Sequence, residues 1–110
     1  MKNRWAFWLL FIAVITECDA VPPTRIAVTN IDDQIARNIF VEIAGARQYR
    51  KEIKPNESAS FVHFADRDGH IYLVYEIEGR EFQRCFQYVG RYLSVQCDVL
   101  VARNKQIIRC

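Results

Sequence analysis

The stretch IYLVYEIEGREFQRCFQYV, Ile71 to Val89, decides the architecture of this chain. Its first seven residues alternate. Ile71, Leu73, Tyr75 and Ile77 fall on one side of an extended backbone, and Tyr72 and Val74 on the other. A period of two is strand behaviour, because successive side chains of a strand point to opposite faces. Glu78-Gly79 interrupts the run and Arg80–Val89 resumes it. Two such runs joined by two residues, the second a glycine, predict a tight antiparallel hairpin.

The same pattern repeats outward in both directions. Upstream are RIAVTN (Arg25–Asn30), NIFVEI (Asn38–Ile43), the more polar Gln48–Ile53, and SASFVHF (Ser58–Phe64). Downstream are YLSVQCDVLV (Tyr92–Val101) and KQIIRC (Lys105–Cys110). Turn residues separate them at Lys54-Pro55-Asn56-Glu57, Asp66-Arg67-Asp68-Gly69, Gly90-Arg91 and Arg103-Asn104. Ile31, Ile35 and Ile39 recur at helical spacing, but the run is short and leads straight into a strand, so at most a single turn is expected. Short strands at this spacing predict an all-β fold, a small antiparallel β-sandwich or barrel of seven to eight strands.

Ahead of this domain, residues 1–20 read as a secretory signal peptide. Lys2 and Arg4 precede the apolar run WAFWLLFIAVI (Trp5–Ile15), and TECDA (Thr16–Ala20) ends on a small residue. As a helix the run would span about 16 Å, roughly half a bilayer core, so no transmembrane anchor is expected. Cleavage after Ala20 leaves one domain, residues 21–110, in the periplasm or secreted. Acylation at Cys18 is the rival reading, and the charged Glu17 before it argues against that. The formal charge of +2 is too mild to imply nucleic acid.

Cys85, Cys97 and Cys110 remain after processing, and export predicts that two of them form a disulfide. A hairpin turning on Gly90-Arg91-Tyr92 would set Cys85 against Cys97, Arg84 against Asp98, and Phe82 against Leu100. That register favours Cys85–Cys97. A hairpin turning on Arg103-Asn104 offers the alternative, Cys97–Cys110. Under the first pairing Cys110 stays free, and an intermolecular bridge there would make a homodimer.

Catalytic chemistry finds little footing. Ser60 and His63 are three apart on a strand and point to opposite faces. Glu76, Glu78 and Glu81 cluster at a convex hairpin tip rather than in a cleft. Asp66-Arg67-Asp68-Gly69-His70 begins like a calcium loop, but no spaced acidic ligands follow. The cysteines and histidines are too scattered for zinc. No metal, cofactor or catalytic residue is assigned, and a solvated turn is the plain reading of Asp66, Arg67, Asp68 and His70. Asn56-Glu57-Ser58 is a glycosylation sequon, which matters only in a host with an endoplasmic reticulum.

The aromatic residues say more. A sheet solvated on one side should be apolar on one side only, yet the Ile71–Val89 hairpin is apolar on both. Either other strands cover the second face, or it is a binding surface built from Tyr72, Phe82, Phe86 and Tyr88 with Arg84. Size, export and fold plan together favour a non-enzymatic domain that binds another protein, such as an inhibitor or immunity-type protein that neutralises a toxin or cell-wall-active enzyme. The alternative is a structural or adhesive subunit that self-associates by strand edges or through Cys110. A small secreted hydrolase ranks third, and the Asp66–His70 loop is the secondary candidate site.

Overall fold

The computed structural model describes residues 22–110. The expected signal peptide and Cys18 lie outside these residues. Eight strands follow one another: β1 (Thr24–Asn30), β2 (Ala36–Ile43), β3 (Ala46–Ile53), β4 (Ser58–His63), β5 (Gly69–Ile77), β6 (Arg80–Val89), β7 (Gln96–Val101) and β8 (Gln106–Arg109). They form two four-stranded sheets, ordered β4-β1-β7-β8 and β3-β2-β5-β6. All pairings are antiparallel except β1 with β7. The described residues contain no helix, and Asp32–Gln34 is a bend.

The alternation read from sequence sets the inner faces. Ile26 and Val28 of β1, Ile39, Val41 and Ile43 of β2, Ile71, Leu73, Tyr75 and Ile77 of β5, and Val99 and Val101 of β7 all lie in one buried cluster. Each such side chain contributes about 1.5–3 kcal/mol by leaving water. The hairpin turns where expected. Glu78 and Gly79 both have positive φ, 51° and 76°. That is the type I′ geometry matching strand twist, and it explains the glycine. Pro55 and Asn56 make the β3–β4 turn, closed by the Glu57 N–H donating to the Lys54 carbonyl at 3.0 Å.

Two expectations are overturned. The first is the hairpin at Gly90-Arg91-Tyr92. Gly90 and Leu93 form only an isolated bridge, after which the chain leaves one sheet for the other. Arg84 therefore pairs with Leu73 and Phe82 with Tyr75, not with Asp98 and Leu100. The favoured Cys85–Cys97 disulfide falls with that hairpin, because Cys85 lies on β6 in one sheet and Cys97 on β7 in the other. The disulfide is Cys97–Cys110, the alternative pairing. Its register follows from β7–β8, where Asp98 sits opposite Arg109 and the next pair outward is Cys97 with Cys110. Cys110 is thus not the free thiol; Cys85 is, and it is exposed.

The second concerns faces. Gln87 has φ 40°, and the β5–β6 register slips between His70 and Ile71. This bulge inserts one residue and flips the strand beyond it. Phe82, Arg84 and Phe86 lie opposite the buried Tyr75, Leu73 and Ile71, whereas Tyr88 lies opposite His70, on the same side as Tyr72 and Cys85. Phe82, Phe86 and Tyr88 do not share a face.

Arg103 joins the sheets at one end. Its Nε donates to Asp32 Oδ2 at 3.0 Å, Nη2 to Asp33 at 2.8 Å and Nη1 to Glu78 at 2.8 Å. Asp32 also accepts the backbone N–H of Arg103 and of Gln34. Burial alone would raise the Asp32 carboxyl, but the hydrogen bonds from Arg103 outweigh it and hold the group far below its ordinary 3.8. Nearby, the buried Tyr75 hydroxyl donates to the Ala102 carbonyl at 2.9 Å and accepts from Gln106.

Candidate binding face

The outward side of the β3-β2-β5-β6 sheet concentrates the unexplained apolar surface. Residues that alternate with the core positions must point outward. On β2 these are Phe40 and Glu42, on β3 Arg47 and Tyr49, on β5 His70, Tyr72 and Val74, and on β6 Glu81, Gln83, Cys85 and Tyr88. Tyr72 is 47% exposed, Tyr88 45% and Tyr49 53%. Phe40, Glu42, Arg47, Tyr72, Val74 and Glu81 line a shallow depression of about 310 Å³.

Cross-strand contacts hold these side chains in place. The Phe40 and Tyr49 rings lie 4.8 Å apart between centroids, and the Arg47 guanidinium sits 5.7 Å above Phe40 while reaching Glu42 at 3.8 Å. Tyr49 donates to Asn38 Oδ1 at 3.0 Å, and Asn38 donates to Glu76 at 3.1 Å. Asn38 has φ 51°, where the β2–β5 register also shifts, and that bulge turns Phe40 outward. At the far side the His70 and Tyr88 rings meet edge to face at 5.5 Å. The Cys85 thiol beside Tyr72, then burial and Glu42, push the Tyr72 hydroxyl upward, and burial followed by Asp68 does the same to Tyr88. A tyrosine hydroxyl is protonated at neutral pH even without such a shift, so both can hydrogen-bond a ligand.

Of the residues expected to form a surface, Tyr72 and Tyr88 share this face. Phe82 and Phe86 pack partly buried against the core, and Phe82 stacks on Tyr75 at 5.1 Å. Arg84 projects on the core side at the open edge and is exposed. Phe40 and Tyr49 were not among the sequence candidates. The signal for Phe40 lay in NIFVEI, where it is the apolar residue out of phase with Ile39, Val41 and Ile43. The Asp66–His70 loop borders the face. His70 belongs to it through Tyr88, Asp66 offers its carbonyl to Arg91 at 3.1 Å, and Arg67 Nε reaches Asp66 at 3.4 Å. A side chain at Gly90 would meet the tip of the exposed Asp68 side chain, which would have to swing aside.

The opposite outer face, on β4-β1-β7-β8, is mixed: Ala27, Val62, Leu100 and Ile107 lie among polar side chains, and its strands place no Phe, Tyr or Trp there. Arg25, Ser58, Ser60, Gln96, Asp98 and Arg109 point out from it, and Thr29 hydrogen-bonds Ser58 at 2.6 Å. Among the described residues no cluster of acidic, histidine or cysteine side chains could hold a metal, and no helix is long and apolar enough to cross a membrane.

No protein-family model matches this chain, and no curated protein matches it. Among solved structures it is similar to one titled "NMR structure of the protein from Eubacterium rectale". The TM-score is 0.58 over 83% of this chain and 90% of that one, at 17% identity. At that identity the likeness speaks to the fold alone.

Proposed function

We propose that this chain is an exported, non-enzymatic protein-binding domain, acting through the outer face of the β3-β2-β5-β6 sheet. One observation carries the reading. Phe40, Tyr49, Tyr72, Val74 and Tyr88 lie on one sheet face that no other described strand covers, while the strands of the other sheet place no Phe, Tyr or Trp on their outer face. Tyrosines offer area with a hydroxyl and little rotamer loss, and Arg47, Glu42, Glu81 and His70 supply a polar rim. An inhibitor or immunity-type role, neutralising an exported enzyme or toxin, suits a rigid presenting sheet of this size. Its membership in that class rests on analogy of size and fold plan.

The test compares Phe40→Ser/Tyr72→Ser with the unaltered domain in affinity capture from periplasmic or secreted extract, followed by thermal melting. Both side chains already meet water, so the double variant should cost under ~1 kcal/mol of stability. Capture of the wild-type partner should be lost. A variant that stays folded and captures the same partner at full affinity overturns this face.

A further inference from the structure

The longest strand of the fold, β6, is also the open edge of its sheet. It pairs with β5 on one side and, among the described residues, with no strand on the other. The type I′ turn fixes which backbone groups are free. In a two-residue hairpin the closing pair, Ile77 and Arg80, exchanges hydrogen bonds, and alternate pairs thereafter do the same. Arg80, Phe82, Arg84 and Phe86 therefore turn their N–H and C=O groups toward β5. Glu81, Gln83 and Cys85 turn theirs outward, with no strand to receive them.

We propose that this edge pairs with the same edge of a second copy, antiparallel, about a twofold axis at Gln83. Side-chain chemistry selects that register. The regular part of β6 runs from Arg80 to Phe86, and Gln83 is its midpoint. An axis there sets Gln83 against Gln83, Glu81 against the second copy's Cys85, Phe82 against its Arg84, and Arg80 against its Phe86. Both phenylalanines meet a guanidinium, an arrangement already present within one chain, where Arg80 lies 5.1 Å over Phe82. No like charges oppose one another. Other axes do worse. At Phe82, Arg80 faces the second copy's Arg84. At Arg84, that residue faces itself. At Glu81, two carboxylates meet and the overlap shrinks. At Cys85, Gln83 runs into the bulged Gln87. The pairing is isologous and closes on itself as a dimer, and it does not depend on the outer-face reading.

Sedimentation equilibrium tests this on the exported domain in a Cys85→Ser background, so that thiol oxidation cannot join the copies. A concentration-dependent dimer is expected. Gln83→Lys places two ammonium groups at the axis, and Gln83→Pro removes an N–H that β5 does not use. Each should raise the dimer dissociation constant roughly tenfold or more with an unchanged melting temperature. A short bismaleimide should join Gln83→Cys copies far faster than Glu81→Cys copies, which lie several residues apart in this register. A monomer at every concentration, a dimer indifferent to both substitutions, or equal cross-linking at the two positions would overturn the proposal.

Discussion

The two sheets of this sandwich share a core but are secured differently. The β4-β1-β7-β8 sheet has short outer strands, an outer face whose strands carry no Phe, Tyr or Trp, and a covalent staple, Cys97–Cys110. The β3-β2-β5-β6 sheet has longer strands, an aromatic outer face and, among the described residues, no staple. A small domain buries little apolar area per residue and needs reinforcement somewhere. Here reinforcement is concentrated in one sheet, which leaves the other able to display apolar side chains without holding the fold together by itself.

Removing the staple should break this division most severely. Cys97→Ala/Cys110→Ala frees β8, a four-residue strand, and should cost about 3 kcal/mol through the unfolded chain. In a domain this size that lowers the melting temperature by roughly 10–20 °C, measurable by calorimetry. A loss close to zero would mean that the β7–β8 ladder, Gln106 and the packing of Ile108 hold β8 without the staple.

The clasp between the sheets should rank next. Asp32→Asn keeps the shape but removes the charge that Arg103 satisfies, and should cost about 2 kcal/mol at neutral pH. The sign of the pH effect follows from the lowered carboxyl. Its contribution is complete above the unfolded value, near 4, and disappears as pH falls from there toward the folded value. Denaturant titrations between pH 7 and 2 should therefore show wild-type stability falling in acid, with the Asp32→Asn difference narrowing. A difference constant across that range would show that the carboxylate's charge is not what Arg103 requires.

The smallest effect sharpens the comparison of outer faces. Ser60→Ala/Asp98→Ala on the outer face of the β4-β1-β7-β8 sheet should change stability by under ~0.5 kcal/mol and leave partner capture intact. If this pair reduced capture as strongly as Phe40→Ser/Tyr72→Ser, the two faces would not differ in function.

Much of this architecture is legible in the sequence because alternation is a local property. The hairpin at Glu78-Gly79, the turn at Lys54–Glu57 and the core faces of β1, β2, β5 and β7 follow from period and turn chemistry. Three features are not local. The passage of the chain between sheets at Gly90–Val95 resembles a hairpin turn until the partners of β6 and β7 are known. The bulges at Asn38 and Gln87 each insert one residue, and one residue reverses every side chain beyond it. That is why Tyr88 lies apart from Phe82 and Phe86, and why Ala36, on the near side of Asn38, faces the core together with Ile39. The cysteine pairing depended on the first of these, so it changed when the sheet assignment did.

The single parallel pairing, β1 with β7, has a consequence for when this fold can complete. Arg25 meets Gln96 and Asn30 meets Val101, so the first strand waits for the seventh before its sheet has a centre. The β2–β3 and β5–β6 hairpins close over short loops and can form early, whereas the β1–β7 ladder demands closure of a loop spanning most of the domain. The strands nearest the C-terminus thus supply both the missing ladder and the disulfide that locks it.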